Sequence, residues 1–329
     1  MVRATAAMLA ALCACAVPAA HALVRIADNG ILVVSVDDSA PAVGLFTIAT
    51  GALHPQPRYS VFYPIGSSYL TLRDVTAQEV WANADETVNQ AIAPFVPRSM
   101  QSAPAAASLT AIPGGFRAVY ALPHWRVTQD VVLSGTTLRD TRVRHTIEVE
   151  NTSAIARSYG LRALWDWEIA EQPQSRWRAR SPDSAFTAAF APFDAPAFRA
   201  FEVVDRAIGT TYAVFGTVAG GPLTPAPTRP DRVAYVQWLD FYEAPWDYPV
   251  GGADEDAATV HFWGYREPLT LAPAARATFH QYVTVHPAAL GLQPDEGAAP
   301  VPAVSPWALA GLAGMLALSA YGGLARKGC

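Results

Sequence analysis

The sequence predicts an all-β protein: a large antiparallel β-sandwich set between an N-terminal signal helix and a C-terminal transmembrane helix. Three observations predict it. Apolar and polar residues alternate with period two through much of the chain, as in strands with one buried face. Clusters of Gly, Pro, Asp and Ser punctuate these runs. Outside the two ends, no helical pattern of ten or more residues stands out, with Thr76–Ala91 as the one candidate exception.

The first element is residues 1–22. Met1-Val2-Arg3 is a short positive start, and Ala4–Val17 carries no charge. Pro18 breaks the helix, and Ala20-His21-Ala22 sets small residues at the −3 and −1 positions of a cleavage site. This is the layout of a secretory signal peptide, with an apolar core too short to span a bilayer, and it implies signal peptidase as a partner. Leu12-Cys13-Ala14-Cys15 also resembles a lipobox, so a lipoprotein anchored through Cys15 is the alternative.

Residues 23–290 form the β-sandwich body. Arg142–Glu150 alternates most clearly: Val143, His145, Ile147 and Val149 face one way, the charged residues and Thr146 the other. Tyr159–Ile169 is a second long strand. Further strands are expected at Ile31–Val36, Leu45–Ala49, Tyr69–Val75, Phe116–Ala121, Trp125–Leu133, Tyr212–Val218, Ala234–Asp240, Thr259–Tyr265 and Ala277–Val285. Ala91–Gly115 and Ala219–Asp231, rich in Pro with Ala and Ser or with Gly, read as exposed connections. The length suits one large double-sheet structure or two small sandwiches. The cadence of Phe116–Pro123, Val127–Leu133 and Arg142–Asn151 resembles that of β-supersandwich proteins related to galactose mutarotases. The resemblance implies the fold. The catalytic His and Glu motifs of the mutarotases find no match here, so epimerase activity is not implied.

Between the signal segment and the C-terminal helix, residues 23–306 carry 20 arginines against 28 acidic residues, a formal charge of −8, which argues against a nucleic-acid partner. The cysteines are Cys13, Cys15 and Cys329; none lies in the body, which excludes a disulfide framework and a cysteine zinc site. The histidines lack HExxH and HxH spacing, and GxSxG, P-loop and dinucleotide patterns are absent. No cofactor is expected.

Trp165-Asp166-Trp167-Glu168 is the most enzyme-like stretch. On a strand Asp166 and Glu168 share a face about 7 Å apart, a separation that could serve a glycoside hydrolase. The simpler reading places both tryptophans in the core and both acids on a solvated face, paired with Arg162, Arg176 or Arg178. Gln237–Tyr248 is dense in rings and acids, and Trp238, Tyr242, Trp246 and Tyr248 are candidates for a carbohydrate platform or for a hydrophobic plug over the sandwich. Asp254, Glu255 and Asp256 form an acidic loop with calcium-type oxygen ligands, though a solvated turn is the plainer reading and no metal is expected. Binding or structure is favoured over catalysis, with a secreted glycan-active enzyme using Asp166 and Glu168 as the alternative.

Residues 291–306 are a Pro/Ala linker ending in Val301-Pro302-Ala303-Val304-Ser305-Pro306, followed by Trp307. Residues 307–329 are the last element. Trp307–Ala325 is uncharged, and at 1.5 Å per residue reaches about 28 Å, a bilayer's hydrocarbon thickness. Arg326-Lys327 forms a basic stop on the cytoplasmic side. Motif, helix and basic end together resemble the IPTL-CTERM variant of PEP-CTERM-type sorting signals found on exported proteins of Gram-negative bacteria. The resemblance implies an exosortase-like transpeptidase as partner. The expected location is the inner membrane facing the periplasm, or onward sorting to the outer surface.

Overall fold

The computed structural model describes residues 23–64, 67–84, 94–207, 212–244, 246–253 and 255–293. The signal segment, the sorting motif and the Trp307–Ala325 span lie outside these residues. Among those described, no helix is long and apolar enough to cross a membrane.

The period-two run near residue 145 becomes β10 (Arg142–Asn151), inside an eight-stranded antiparallel sheet. The order is β12 (Ser175–Arg180), β14 (Ala200–Asp205), β15 (Ala213–Thr217), β19 (Arg276–Thr284), β10, β9 (Trp125–Ser134), β8 (Gly115–Ala121) and β7 (Ala106–Ile112). A second eight-stranded sheet runs β13 (Ala191–Asp194), β16 (Arg232–Gln237), β17 (Ala257–Trp263), β11 (Arg157–Asp166), β4 (Tyr69–Asp74), β5 (Glu79–Ala82) and β6 (Val96–Ser99), with β18 (Leu269–Leu271) also on β11. Its β5–β6 pair is parallel. A three-stranded sheet joins β1 (Leu23–Asp28), β2 (Leu32–Asp37) and β3 (Phe46–Thr50).

The two large sheets share one core, so the described body is one large sandwich. Aromatic rings fill the space between them. Trp125 of β9 meets Tyr159 of β11 at 5.1 Å, Trp177 of β12 stacks on Tyr235 of β16 at 6.1 Å, and Trp263 of β17 meets Phe279 of β19 at 5.2 Å. Trp165 and Trp167 point inward, as alternation requires, and are fully buried. The small sheet closes against this core through Phe46, whose ring touches Phe62, Phe116 and His145. Gly44 makes that closure possible: it sits at φ 84°, and a Cβ there would lie 2.2 Å from the Tyr120 hydroxyl, which donates to the Val43 carbonyl.

His145 is buried on the core face, as the alternation of β10 requires. Neither it nor His261 of β17 closes a hydrogen bond of normal geometry among the described residues. Trp165 lies beside both rings, 4.5 Å from His261 and 6.3 Å from His145. Burial holds both imidazoles down at about pKa 3.

The structure also corrects the sequence reading in places. The stretch 91–115 is not simply a connection, because it contains β6 and β7. Both are edge strands, and edge strands need few large apolar residues. Residues 75–78 make a turn into β5 rather than a helix. The strand expected to reach Asp240 stops at Gln237, and Trp238–Glu243 turns as helix α1. Trp238, Phe241 and Tyr242 are spaced i, i+3, i+4, which gathers all three rings on one helical face.

Candidate functional site

The outward face of the β7–β10 and β19 sheet is a groove built by strand register. Arg117 of β8 pairs across to Asp130 of β9, which opposes Thr146 of β10, which opposes His280 of β19. The next row is Val119, Thr128, Glu148 and Thr278, and the third is Ala121, Arg126, Glu150 and Arg276. Cross-strand partners share a face, so these side chains stand together outside the core. All of them except His280 and Ala121 line a cavity of about 360 Å³.

Five of its six charged side chains are held in ion pairs. Arg117 grips Asp130 through two hydrogen bonds of 2.7 Å, from Nε and Nη2. Arg276 reaches Glu148 at 3.3 Å and Glu150 at 3.2 Å. Thr146 Oγ1 and His280 Nδ1 are 3.0 Å apart. Three arginines face three carboxylates, so the groove is polar yet balanced. Sequence reasoning missed it because its residues come from four strands, and only the register joins them.

The expected site residues gather on the outward face of the other sheet. Asp166 and Glu168 do point away from the core, but Asp166 is only 1 % exposed. Arg162 and Arg178, two of the arginines named for it, are engaged elsewhere. Arg162 donates to the carbonyls of Ala244 and Trp246 and to the hydroxyls of Tyr69 and Thr71, while Arg178 pairs with Glu202. Among the described residues Asp166 Oδ1 has no hydrogen-bond partner. Burial raises its carboxyl well above the usual range, and the charges of Asp256 and Glu168 add to the shift. Asp256 is itself raised to about 6, by burial and then by Glu168. Burial also raises Glu168.

Asp256 therefore belongs with these acids. Of its expected partners, Glu255 is exposed, and Asp254 lies outside the described residues. Among the described residues no three His, Cys, Asp or Glu side chains are placed to hold a metal ion.

The aromatic segment is mainly a plug. Phe241 and Trp246 are buried against Leu164, Val260 and Phe262 in a second apolar cluster. The Arg73 guanidinium covers the Trp246 ring at 4.2 Å. Trp238 and Tyr242 are half-buried and stack on each other, 4.5 Å apart and 21° from parallel. Tyr248 is exposed. Only the Trp238–Tyr242 stack and Tyr248 therefore present ring surface to a ligand.

No family model matches the chain, and no curated protein matches it. Among solved structures, a galactose mutarotase-like protein from Lactobacillus casei aligns with TM-score 0.45 and 6 % identity over 80 % of this chain and 100 % of its own. A galactose mutarotase related enzyme from Lactobacillus acidophilus gives 0.41 and 9 % over 83 % and 100 %. A TPR-domain containing protein from Parabacteroides distasonis gives 0.43 and 10 % over 83 % of this chain but 49 % of its own, so the chain spans about half of that protein. At these values no chemistry transfers from the neighbours.

Proposed function

We propose that this is an exported binding protein whose β-sandwich body holds a neutral carbohydrate in the groove across β8, β9, β10 and β19. One observation carries the reading: the groove sets three positive beside three negative side chains, five of them joined in ion pairs. A strongly charged ligand gains nothing from such balance. A polyol gains a hydrogen-bonding partner at each hydroxyl, against groups whose positions are already set. The threonines at 128, 146 and 278 add hydroxyls that both donate and accept.

The test is calorimetric titration of the purified protein with neutral oligosaccharides chosen from a glycan array. R117A should weaken the best ligand about tenfold, the equivalent of one lost charge-assisted hydrogen bond. Absence of any neutral glycan ligand, or unchanged affinity in R117A, overturns the proposal.

The alternative, a glycan-active enzyme using Asp166 and Glu168, draws on the raised carboxyls. Binding ranks ahead of it because Asp166 is closed off from solvent. Export and membrane retention rest on the two terminal segments. Deleting Pro306–Cys329 should release the body to the soluble extracytoplasmic fraction; sedimentation with membranes after that deletion would point to a lipid on Cys15 or a partner protein.

A further inference from the structure

Each large sheet has two edge strands, and three of these four edges are blunted. β12 carries Arg176, Arg178 and Arg180, and its Trp177 is bridged by Thr187. β13 holds Pro192 and Asp194. β6 holds Pro97 and Arg98. Charge and proline are the usual means by which an edge resists further pairing.

β7 has neither. Its seven residues, Ala-Ala-Ser-Leu-Thr-Ala-Ile, contain no charge and no proline. The uncharged stretch around it runs from Ser99 to Phe116. β7 pairs with β8 along its whole length, and among the described residues it has a neighbour on that side only. Its outer rim of backbone N–H and C=O groups is a template for one more strand. On the core side, Ala107 and Leu109 are only half-buried, where the apolar core reaches the end of the sheet.

We propose that two copies of this chain pair through β7, antiparallel and edge to edge, joining two eight-stranded sheets into one. A second copy is the occupant this edge fits best. An antiparallel pairing of a strand with itself is self-complementary about a twofold axis, and the ladder closes without an unmatched group. With the axis at Leu109, Ser108 faces the partner's Thr110, and no like charges meet. Leu109 of each copy then covers the other's half-open core edge.

The pairing has a consequence for the groove, conditional on the reading of the groove as a ligand site. Thr110 lies in the row of Arg117 and Asp130, and Ser108 in the row of Val119 and Thr128. In the pair these rows run on across the axis into the second copy. Two grooves then share one continuous outer face, which suits an oligomeric rather than a monomeric ligand.

The experiment is sedimentation equilibrium of the purified full chain in detergent, with and without the double substitution S108K/T110K. Both positions are exposed, so the fold should survive; an unchanged circular dichroism spectrum and melting temperature check this. The wild type should sediment at twice the chain mass, and the double variant, which sets lysine against lysine across the axis, should dissociate at least tenfold more readily. A wild type that stays monomeric at about 100 μM overturns the proposal. So does a dimer that the lysines leave intact, which would place the contact elsewhere, as in the tail. Glycan titration is a separate measurement, so failure of the groove reading leaves this result standing.

Discussion

The guanidinium of Arg162, fully buried on β11, donates from Nη1 to the Trp246 carbonyl at 2.8 Å and fastens the aromatic plug to the sheet. The same nitrogen donates to Ala244 at 3.1 Å, and Nη2 donates to Tyr69 and Thr71. One side chain thus satisfies two loop carbonyls that would otherwise be buried without partners. R162M keeps much of the volume and removes every donor. It should destabilise the body by about 3 kcal/mol in urea unfolding, because the stranded carbonyls carry the full desolvation penalty. A loss below 1 kcal/mol would mean that the plug is held by its rings alone.

Gly160 is the companion to that contact. A Cβ there would lie 2.6 Å from the Trp246 ring, and Arg73 covers Trp246, so the ring has little room to retreat. G160A should cost about 2 kcal/mol by overpacking. It should also alter the near-ultraviolet circular dichroism of the tryptophans. An unchanged spectrum with unchanged stability would contradict the close approach.

The buried imidazoles make the sandwich sensitive to acid. In the unfolded chain His145 and His261 protonate near pH 6.5, whereas the fold holds both neutral down to about pH 3. The folded value lies below the unfolded one, so their contribution is complete above pH 6.5 and drains away as pH falls toward 3. Each can add a slope approaching about 1.4 kcal/mol per pH unit in that window. Urea midpoints measured from pH 7 to pH 4.5 should fall steeply for the wild type and less steeply for H145L. Parallel curves for the two proteins would show that the ring is not held neutral.

Asp166 works in the opposite direction. Its folded pKa is raised, so the fold prefers the protonated acid, and that preference is lost as pH rises through the folded value. D166N supplies a neutral side chain of the same shape. It should raise the melting temperature at pH 8 and change it little at pH 3. A lower melting temperature at pH 8 would indicate that the carboxylate has a stabilising partner.

Arg276 separates binding from stability. Its side chain is 54 % exposed, and exposed ion pairs contribute little. R276A should shift the unfolding free energy by less than about 0.5 kcal/mol while weakening glycan binding in the groove. Equal affinity in variant and wild type would remove Arg276 from the site.

The sequence read most plainly where a strand has one wet face and one dry face. β10 was legible because Val143, Ile147 and Val149 alternate with Arg144, Glu148 and Glu150. β14 was not, because Ala200–Asp205 is buried throughout and shows no alternation. β7 hid behind small residues that resemble a loop. Asp166 and Glu168 were placed on the correct face, yet the burial of Asp166 depends on neighbours far off in the chain: its N–H donates to Ser68, and across the ladder it opposes Ala258. Asp256 read most plainly as part of a solvated acidic turn, whereas the fold sets it beside Asp166. The groove was the least legible feature, since pairing partners such as Glu148 and Thr278 are more than a hundred positions apart.

On the proposal that the groove takes a ligand, its balance of charge also governs how that ligand would reach it. Opposite charges packed this closely nearly cancel a few ångströms outside the surface, well within the screening distance of physiological salt. Little electrostatic steering remains, so arrival should be ordinary diffusion, with a rate almost indifferent to ionic strength. Discrimination among ligands is then a matter of how long each one stays.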